Sequence, residues 1–279
     1  MSRLAGVPVR EALDSAVVAL GAAGVDTPRL DAEVLLAHVL GVDRAALVVD
    51  RERAVEGPAV RAYQDAIRRR AAAREPVAYI TGAKGFRRLD LHVDPRVLIP
   101  RPETEALVEA ALDLPPGARV VDVGTGSGAV ALALKDERPD LDVTGTDRSE
   151  AALAVARANA ARLGLDVAFV TADLLDGDGV PDDPDAVVAN PPYVEDGAPL
   201  QPEIARHEPA EALYAGPDGL AVVRRLIAQA AASPARFLAV EVGAGQAPAV
   251  AALAAAAGFA DVAARADLAG IDRIVVARR

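Results

Sequence analysis

Asp122-Val123-Gly124-Thr125-Gly126-Ser127-Gly128 joins an apolar run, Val120 to Val123, to a helical segment, Ala129 to Leu134. Glycines at such a turn let the backbone pass close to a ligand and free its N–H groups at a helix start. A G-x-G alone is weak, but between a first parallel strand and its helix it stands where a nucleotide loop must. Outward from this loop, apolar runs recur at Val143 to Thr146, Val167 to Thr171, Ala186 to Ala189, Phe237 to Val242 and Ile274 to Ala277. Helical segments alternate with them at Ala151 to Leu163, Leu220 to Ala232 and Pro248 to Ala257. The alternation predicts an α/β fold, a mostly parallel Rossmann-like sheet with helices on both faces.

The ends of the first three strands narrow the ligand. The second ends in Gly145-Thr146-Asp147, whose carboxylate can accept both hydroxyls of a ribose. The third ends in Ala172-Asp173-Leu174, which puts an acceptor for the exocyclic amine of adenine, and an apolar wall for its ring, beside the same position. Asp122 and Asp147 taken singly read as ordinary caps on the helices that follow; three acidic strand ends in register with a glycine loop read as a site. Ala129 would complete a dinucleotide fingerprint, and the extra glycine at Gly128 leans away from one. No Lys-Ser or Lys-Thr follows the loop, which disfavours a triphosphate. A ribose, an adenine and a charged tail without pyrophosphate describe S-adenosylmethionine.

The fourth strand stops at Asn190-Pro191-Pro192-Tyr193. Two prolines have fixed φ and no N–H, so the sheet cannot continue through them. What stands at the strand end is a carboxamide, carbonyls without a competing N–H, and an aromatic face. A planar amide or amine fits: its NH2 donates to Asn190 and the Pro191 carbonyl, and Tyr193 covers its π face. Taken alone, the tetrapeptide reads equally as a turn leaving a strand.

Before the first strand the pattern is helical. Val9, Leu13, Val17 and Leu20, then Leu30, Val34, Leu35 and Val39, then Val60, Tyr63 and Ile67 recur at helical spacing up to about Glu75. The run Arg68-Arg69-Arg70 with Arg74 reads first as a solvated helix face and second as a patch for an acidic or RNA partner. From Pro76 to Pro100, Val77, Tyr79 and Phe86, then Leu89, Leu91 and Val93, predict a hairpin that turns around Gly82 to Gly85. The chain has 279 residues, no cysteine, three scattered histidines, 3% aromatics and a net charge of −11. Those counts argue against a thiolate metal site, a metal ligand set, a base-stacking platform and broad duplex binding. No apolar run has membrane-spanning length and no signal-peptide pattern opens the chain, so a soluble cytoplasmic protein is expected.

Gly124 to Gly128, Asp147, Asp173 and Asn190-Pro191-Pro192-Tyr193 resemble the motifs of class I methyltransferases that act on amino or amide nitrogen. Tyr79-Ile80-Thr81-Gly82 with Phe86, Leu98-Ile99-Pro100-Arg101-Pro102-Glu103-Thr104-Glu105, His207-Glu208-Pro209, Gly216-Pro217-Asp218-Gly219-Leu220 and Glu241-Val242-Gly243 are similar to the HemK family, the peptide chain release factor N5-glutamine methyltransferases. One departure is Leu174, where relatives often carry an aromatic. The resemblance implies a seven-stranded sheet with its last hairpin reversed, a helical substrate-recognition domain at 1–75, a β-hairpin linker at 76–102 and a methyltransferase domain at 103–279. It implies a cofactor, S-adenosylmethionine, held by Gly124, Thr125, Gly126, Ser127, Gly128, Asp147, Asp173, Leu174 and Asn190. Asn190, Pro191, Pro192 and Tyr193 would hold the substrate and carry the catalysis, with no metal. The partner implied is a release factor, methylated on the glutamine of a Gly-Gly-Gln loop by a monomer that touches neither nucleic acid nor membrane. A ribosomal-protein glutamine methyltransferase, a DNA adenine-N6 methyltransferase and a non-catalytic scaffold are the alternatives.

Overall fold

The protein is seen in a computed structural model that describes residues 6–267 and 269–279. The chain divides into two compact units, one holding the residues up to Gly82 together with Leu200–His207, the other Ala83–Pro199 and Glu208–Arg279.

The first unit is helical. Its elements are β1 (Val7–Pro8), α1 (Val9–Ala22), α2 (Pro28–Leu40), α3 (Arg44–Val49), β2 (Ala54–Val55), α4 (Pro58–Ala72) and α5 (Val77–Thr81), with β1 and β2 paired antiparallel. Prolines open α2 and α4 at the first helical position, and Gly41 closes α2 in the left-handed conformation. Leu13 and Leu20 of α1, Leu35 and Leu36 of α2, Leu47 of α3 and Tyr63 of α4 meet in one core. Each large apolar side chain buried there contributes roughly 1.5–3 kcal/mol.

The second unit carries β3 (Ala83–Phe86), β4 (Leu89–His92), α6 (Glu105–Ala111), β5 (Arg119–Val123), α7 (Ala129–Glu137), β6 (Asp142–Asp147), α8 (Glu150–Leu163), β7 (Ala168–Thr171) and β8 (Ala186–Ala189). The chain then forms the short helix α9 (Pro202–His207), which packs with the helical unit, and returns for α10 (Ala221–Ala232), β9 (Phe237–Glu241), α11 (Ala247–Ala256), β10 (Asp261–Ala266) and β11 (Asp272–Arg278). Among the described residues the main sheet has seven strands in the order β10-β11-β9-β8-β5-β6-β7, with the β10–β11 hairpin antiparallel to the rest. This is the α/β sheet the motifs implied. Strands β5, β8 and β9 are buried on both faces, which is why they read as unbroken apolar runs. Val120 and Val188 pack on one face with Leu107, Leu132 and Leu134; Val121, Val123 and Val187 pack on the other with Leu226 and Ile227.

Two expectations need correction, and one strand lacks a signal of its own in the sequence. The hairpin β3–β4 turns at Arg87 and Arg88, between the paired Phe86 and Leu89, while Gly82 ends α5 in the left-handed conformation. Val77 and Tyr79 therefore belong to a helix. Arg87 takes a positive φ of 52° and grips Glu137 with two N–H groups at 2.7 Å each, so a side-chain clamp holds a turn that no glycine marks. The arginine run is a solvated face only in part: Arg68 is exposed and pairs with Asp65, while Arg70 and Arg74 are turned inward. Arg70 is 7% exposed, donating to Asp31 at 2.7 Å and to Glu203 of α9 at 2.8 Å, and Arg74 donates to the same Glu203 oxygen at 2.6 Å. Finally, β10 is an Ala-rich edge strand that no apolar run announces. Among the described residues no helix is long and apolar enough to cross a membrane.

Candidate active site

The strand order reverses beside β5: β6 and β7 lie on one side of it, β8 and β9 on the other. In open α/β sheets the crevice at such a switch point, beyond the carboxyl ends of the strands, is where ligands bind. Val123 pairs with Ala189 of β8 and with Thr146 of β6. Gly124, Asn190 and Asp147 are thus the next residues on three adjacent strands. These three residues, up to 66 positions apart, converge because the parallel register brings their strand ends level.

The glycine loop is held from beneath. Asp122 is fully buried and its Oδ2 accepts from the Thr125 hydroxyl at 2.6 Å and from the Ala131 N–H at 3.1 Å. It fastens the loop to the strand and to α7 rather than facing a ligand. Burial pushes its carboxyl up to about 7, opposed by those two donors. Asn159 of α8, also buried, donates to the Ser127 carbonyl at 3.0 Å while pairing with both backbone groups of His92. On the open side, Asp147 Oδ2 accepts from the Gly126 N–H at 3.0 Å and Oδ1 from the Ser149 N–H at 2.9 Å. Gly126 has φ +55°, a conformation that a residue with a Cβ adopts at a cost.

A cavity of about 200 Å³ lies over these strand ends, lined by Gly124, Gly126, Asp147, Asp173, Leu174, Asn190 and Pro192 among others. Thr125, Ser127 and Gly128 are buried under the loop and do not line it, nor do Pro191 and Tyr193. Leu174 is held at φ +63°, with its carbonyl accepting from the Thr146 hydroxyl at 2.9 Å. Strain of this kind persists where the surroundings impose it. Asp173 is exposed and paired with Arg225 at 2.5 Å, a surface pair of small energetic worth. The set suits an adenosine-like ligand: a Cβ built on Gly124 would meet nothing within 4 Å, and the Asp147 carboxylate keeps lone pairs beyond its two N–H partners.

At the end of β8, Asn190 donates from Nδ2 to the Thr104 hydroxyl at 3.0 Å, which leaves its Oδ1 for another donor. Tyr193 does not cover the cavity. Its hydroxyl points to Glu241 Oε1 at 3.4 Å, and its carbonyl accepts from Gln246 Nε2 at 3.0 Å. Burial, then the nearby Glu241 charge, raises the Tyr193 hydroxyl to about 12. Gly219, at φ +68°, passes so close that a Cβ there would lie 2.3 Å from the Tyr193 carbonyl oxygen. Glu208 receives the Ile99 N–H at 3.1 Å and Arg101 at 2.5 Å, so the Leu98–Glu105 and His207–Pro209 stretches meet in space. The roles of Thr104 and Gln246 have no signal in residue type alone.

Residues 11–82 match the PrmC N-terminal domain family, and residues 102–213 the methyltransferase small domain family. A release factor glutamine methyltransferase of Mycolicibacterium smegmatis is 44% identical, covering 97% of this chain and 98% of its own. Another, from Deinococcus radiodurans, is 45% identical over the same shares. The chain belongs to the release factor glutamine methyltransferase family. The HemK resemblance drawn from the motifs is that family, and the chain is an enzyme of the methyltransferase class. Among solved structures, a methyltransferase from Pyrococcus furiosus superposes with a TM-score of 0.52 at 17% identity, over 68% of this chain and 88% of that one. The hMettl16 catalytic domain in complex with MAT2A 3'UTR hairpin 1 superposes with a TM-score of 0.55 at 15% identity, over 79% of each chain. Those two likenesses show the fold.

The buried Asp122 yields a test of the site's foundation. Its folded-state proton is held more tightly than the unfolded one, since its carboxyl rises from 3.8 to about 7. The stability it contributes is therefore full at low pH and lost as pH rises through about 7. Asp122→Asn keeps an oxygen acceptor and removes the ionisation. Its melting temperature should gain on that of the parent chain between about pH 5 and about pH 8. A gap that stays constant across that window would show that the Asp122 carboxyl is already ionised in the folded protein by about pH 5.

Proposed function

We propose that the chain transfers a methyl group from S-adenosylmethionine to the side-chain amide nitrogen, N5, of the glutamine in the Gly-Gly-Gln loop of peptide chain release factors. The observation that carries this is the free Oδ1 of Asn190 beside the glycine loop and Asp147. Family membership supports the substrate, since the relatives are named for it. An amide nitrogen is a poor nucleophile because its lone pair is delocalised into the carbonyl. The sulfonium cofactor, when bound, supplies a methyl group already activated for transfer. The protein's task is then to orient and desolvate. Asn190 Oδ1 and the Pro191 carbonyl accept from the two N–H groups of the substrate and turn its lone pair toward the cavity. The same acceptors stabilise positive charge as it develops on nitrogen. Asp147 takes the ribose hydroxyls, Asp173 and Leu174 the adenine, and the Gly124–Gly128 backbone lies along the cofactor, with Thr125 and Ser127 shaping the loop from below. Pro192 walls the cavity, and Tyr193, braced by Glu241 and Gln246, fixes the exit of the Asn-Pro-Pro turn.

The helical unit is the part we assign to gripping the factor away from the chemistry. Val18, Leu30, Val48 and Val49 are large apolar residues exposed on it, Val49 at 87%. Remote binding energy of this kind is what positions a weak nucleophile.

The decisive experiment incubates the enzyme and labelled cofactor with release factors, a ribosomal protein and DNA, and maps the methyl group by mass spectrometry. Modification of the Gly-Gly-Gln glutamine is expected, with an isolated loop peptide much poorer than the intact factor. A methyl group found instead on ribosomal protein or on adenine would overturn the reading. A second result concerns Asp147→Ala, which removes acceptors worth ~1.5–3 kcal/mol each when charged. Calorimetry should show cofactor affinity reduced about tenfold or more, with factor affinity little changed. Unaltered cofactor affinity would place the ribose elsewhere.

A further inference from the structure

Behind Asn190 lies a buried acid that the proposed chemistry does not use. Glu241 closes β9, is 1% exposed, and among the described residues its Oε2 has no hydrogen-bond partner. A carboxylate so placed is costly to keep, because the protein has removed its water and supplied little in exchange. What faces it is the Thr104 hydroxyl, 4% exposed, and the Tyr193 hydroxyl at 3.4 Å from Oε1. Thr104 also receives the Asn190 Nδ2 at 3.0 Å.

A hydroxyl has one hydrogen to give, and Glu241, whose carboxyl burial pushes up to about 7 against the Thr104 hydrogen bond, only accepts once ionised above that pH. If Thr104 gives its hydrogen to Glu241, its lone pairs are left for Asn190, and Asn190 must turn its NH2 inward and its Oδ1 toward the cavity. If Thr104 instead gave its hydrogen to Asn190, the amide would flip. It would then present NH2 to the NH2 of the substrate, donor against donor. The two orientations have the same shape, so packing cannot choose between them; only hydrogen-bond polarity can.

We propose that Glu241 and Thr104 are positioning residues that fix the orientation of the Asn190 amide, the acceptor-only carboxylate setting the direction of the chain Asn190→Thr104→Glu241. This rests on the role of Asn190 given above. Neither residue touches the substrate. The unsatisfied oxygen of Glu241 is retained because an apolar side chain there, though easier to bury, would leave the Asn190 amide free to flip.

The test uses the full chain with intact release factor and the variants Thr104→Val, Thr104→Ser, Glu241→Met, the double variant Thr104→Val/Glu241→Met, and Asn190→Ala. Thr104→Val and Glu241→Met should each lower kcat about tenfold, with KM for the factor and calorimetric cofactor affinity within about twofold. The double variant should be no slower than either single one, because both break the same chain. Thr104→Ser should restore the rate. Glu241→Met should keep or raise the melting temperature while kcat falls, a split that a purely structural role would not give. In cofactor-free protein, the side-chain NH2 resonances of Asn190 should move in Thr104→Val and return in Thr104→Ser. Full activity in Thr104→Val, additive losses in the double variant, losses confined to KM, or unmoved Asn190 resonances would each overturn the proposal. If Asn190→Ala is slow while Thr104→Val and Glu241→Met stay fast, the relay alone falls. If Asn190→Ala is itself fast, the function assigned to Asn190 falls first.

Discussion

Asn190→Ala is expected to lower kcat by roughly 10²–10³, the range seen when one preorganised group facing developing charge is lost. The side chain is built for that position. It follows directly on β8, whose residues are buried on both faces, so its backbone has little freedom. Its Nδ2 is committed to Thr104, leaving Oδ1 as the acceptor we assign to the substrate. The prolines and Tyr193 remain in the variant, with Tyr193 still held by Gln246 and Glu241, so the release factor should dock as before. Asn190 also borders the cavity, and a cofactor loss of about tenfold is compatible with that. Single-turnover methylation beside calorimetric titration of each ligand separates the two effects. Surviving turnover with collapsed cofactor affinity would move Asn190 out of the chemistry and into the cofactor pocket.

The second large effect lies within the helical unit. Arg70→Met should destabilise the helical unit by about 3–5 kcal/mol, the cost of removing one partner from a buried ion pair. Arg70 stands between Asp31 and Glu203, each of the three side chains less than about one-seventh exposed. Without the guanidinium, among the described residues Asp31 keeps only the Thr27 hydroxyl at 2.8 Å, and Glu203, whose Oε2 already lacks a partner there, depends on Arg74. Urea unfolding of Arg70→Met against the parent chain measures the loss. Replacing Asp31 by Asn as well should recover part of it, because the stranded charge rather than the missing bond carries most of the cost. A change below about 1 kcal/mol would show the cluster to be hydrated and weak.

The reach of the sequence follows from which interactions are local. Strands β5, β8 and β9 announce themselves because burial on both faces demands continuous apolar residues. The glycine loop and Asn-Pro-Pro-Tyr are legible because their backbone conformations admit few residue types. Edge strand β10, with the composition Asp-Val-Ala-Ala-Arg-Ala, faces solvent along much of its length and needs no such pattern. The sequence points to a hairpin turn four residues early because Gly82 and Gly85 read as turn formers, whereas the turn is made by Arg87 under the grip of Glu137, 50 residues away. Arg70 reads as surface because its neighbours in sequence are arginines; its partner Glu203 lies 133 residues further on. Asp122 and Asp147 share a residue type and a strand-end position, yet one fastens the loop and the other faces the cavity. Depth in the sheet separates them: Asp122 is the penultimate residue of β5, level with Gly145, whereas Asp147 ends β6 two positions further along.

The return of Leu200–His207 to the helical unit has a consequence for biogenesis. During synthesis the first five helices emerge well before α9, by more than a hundred residues and on the order of ten seconds at ribosomal rates. Throughout that interval Arg70 and Arg74 have no Glu203 to meet, and the nascent N-terminal unit waits incomplete at the tunnel exit. Co-translational folding here cannot finish domain by domain from the N-terminus. The helical unit closes only after the cofactor loop and Asn-Pro-Pro-Tyr have already been made, so a nascent chain that stalls between Gly82 and Leu200 would present a substrate for chaperones and proteases rather than a finished module.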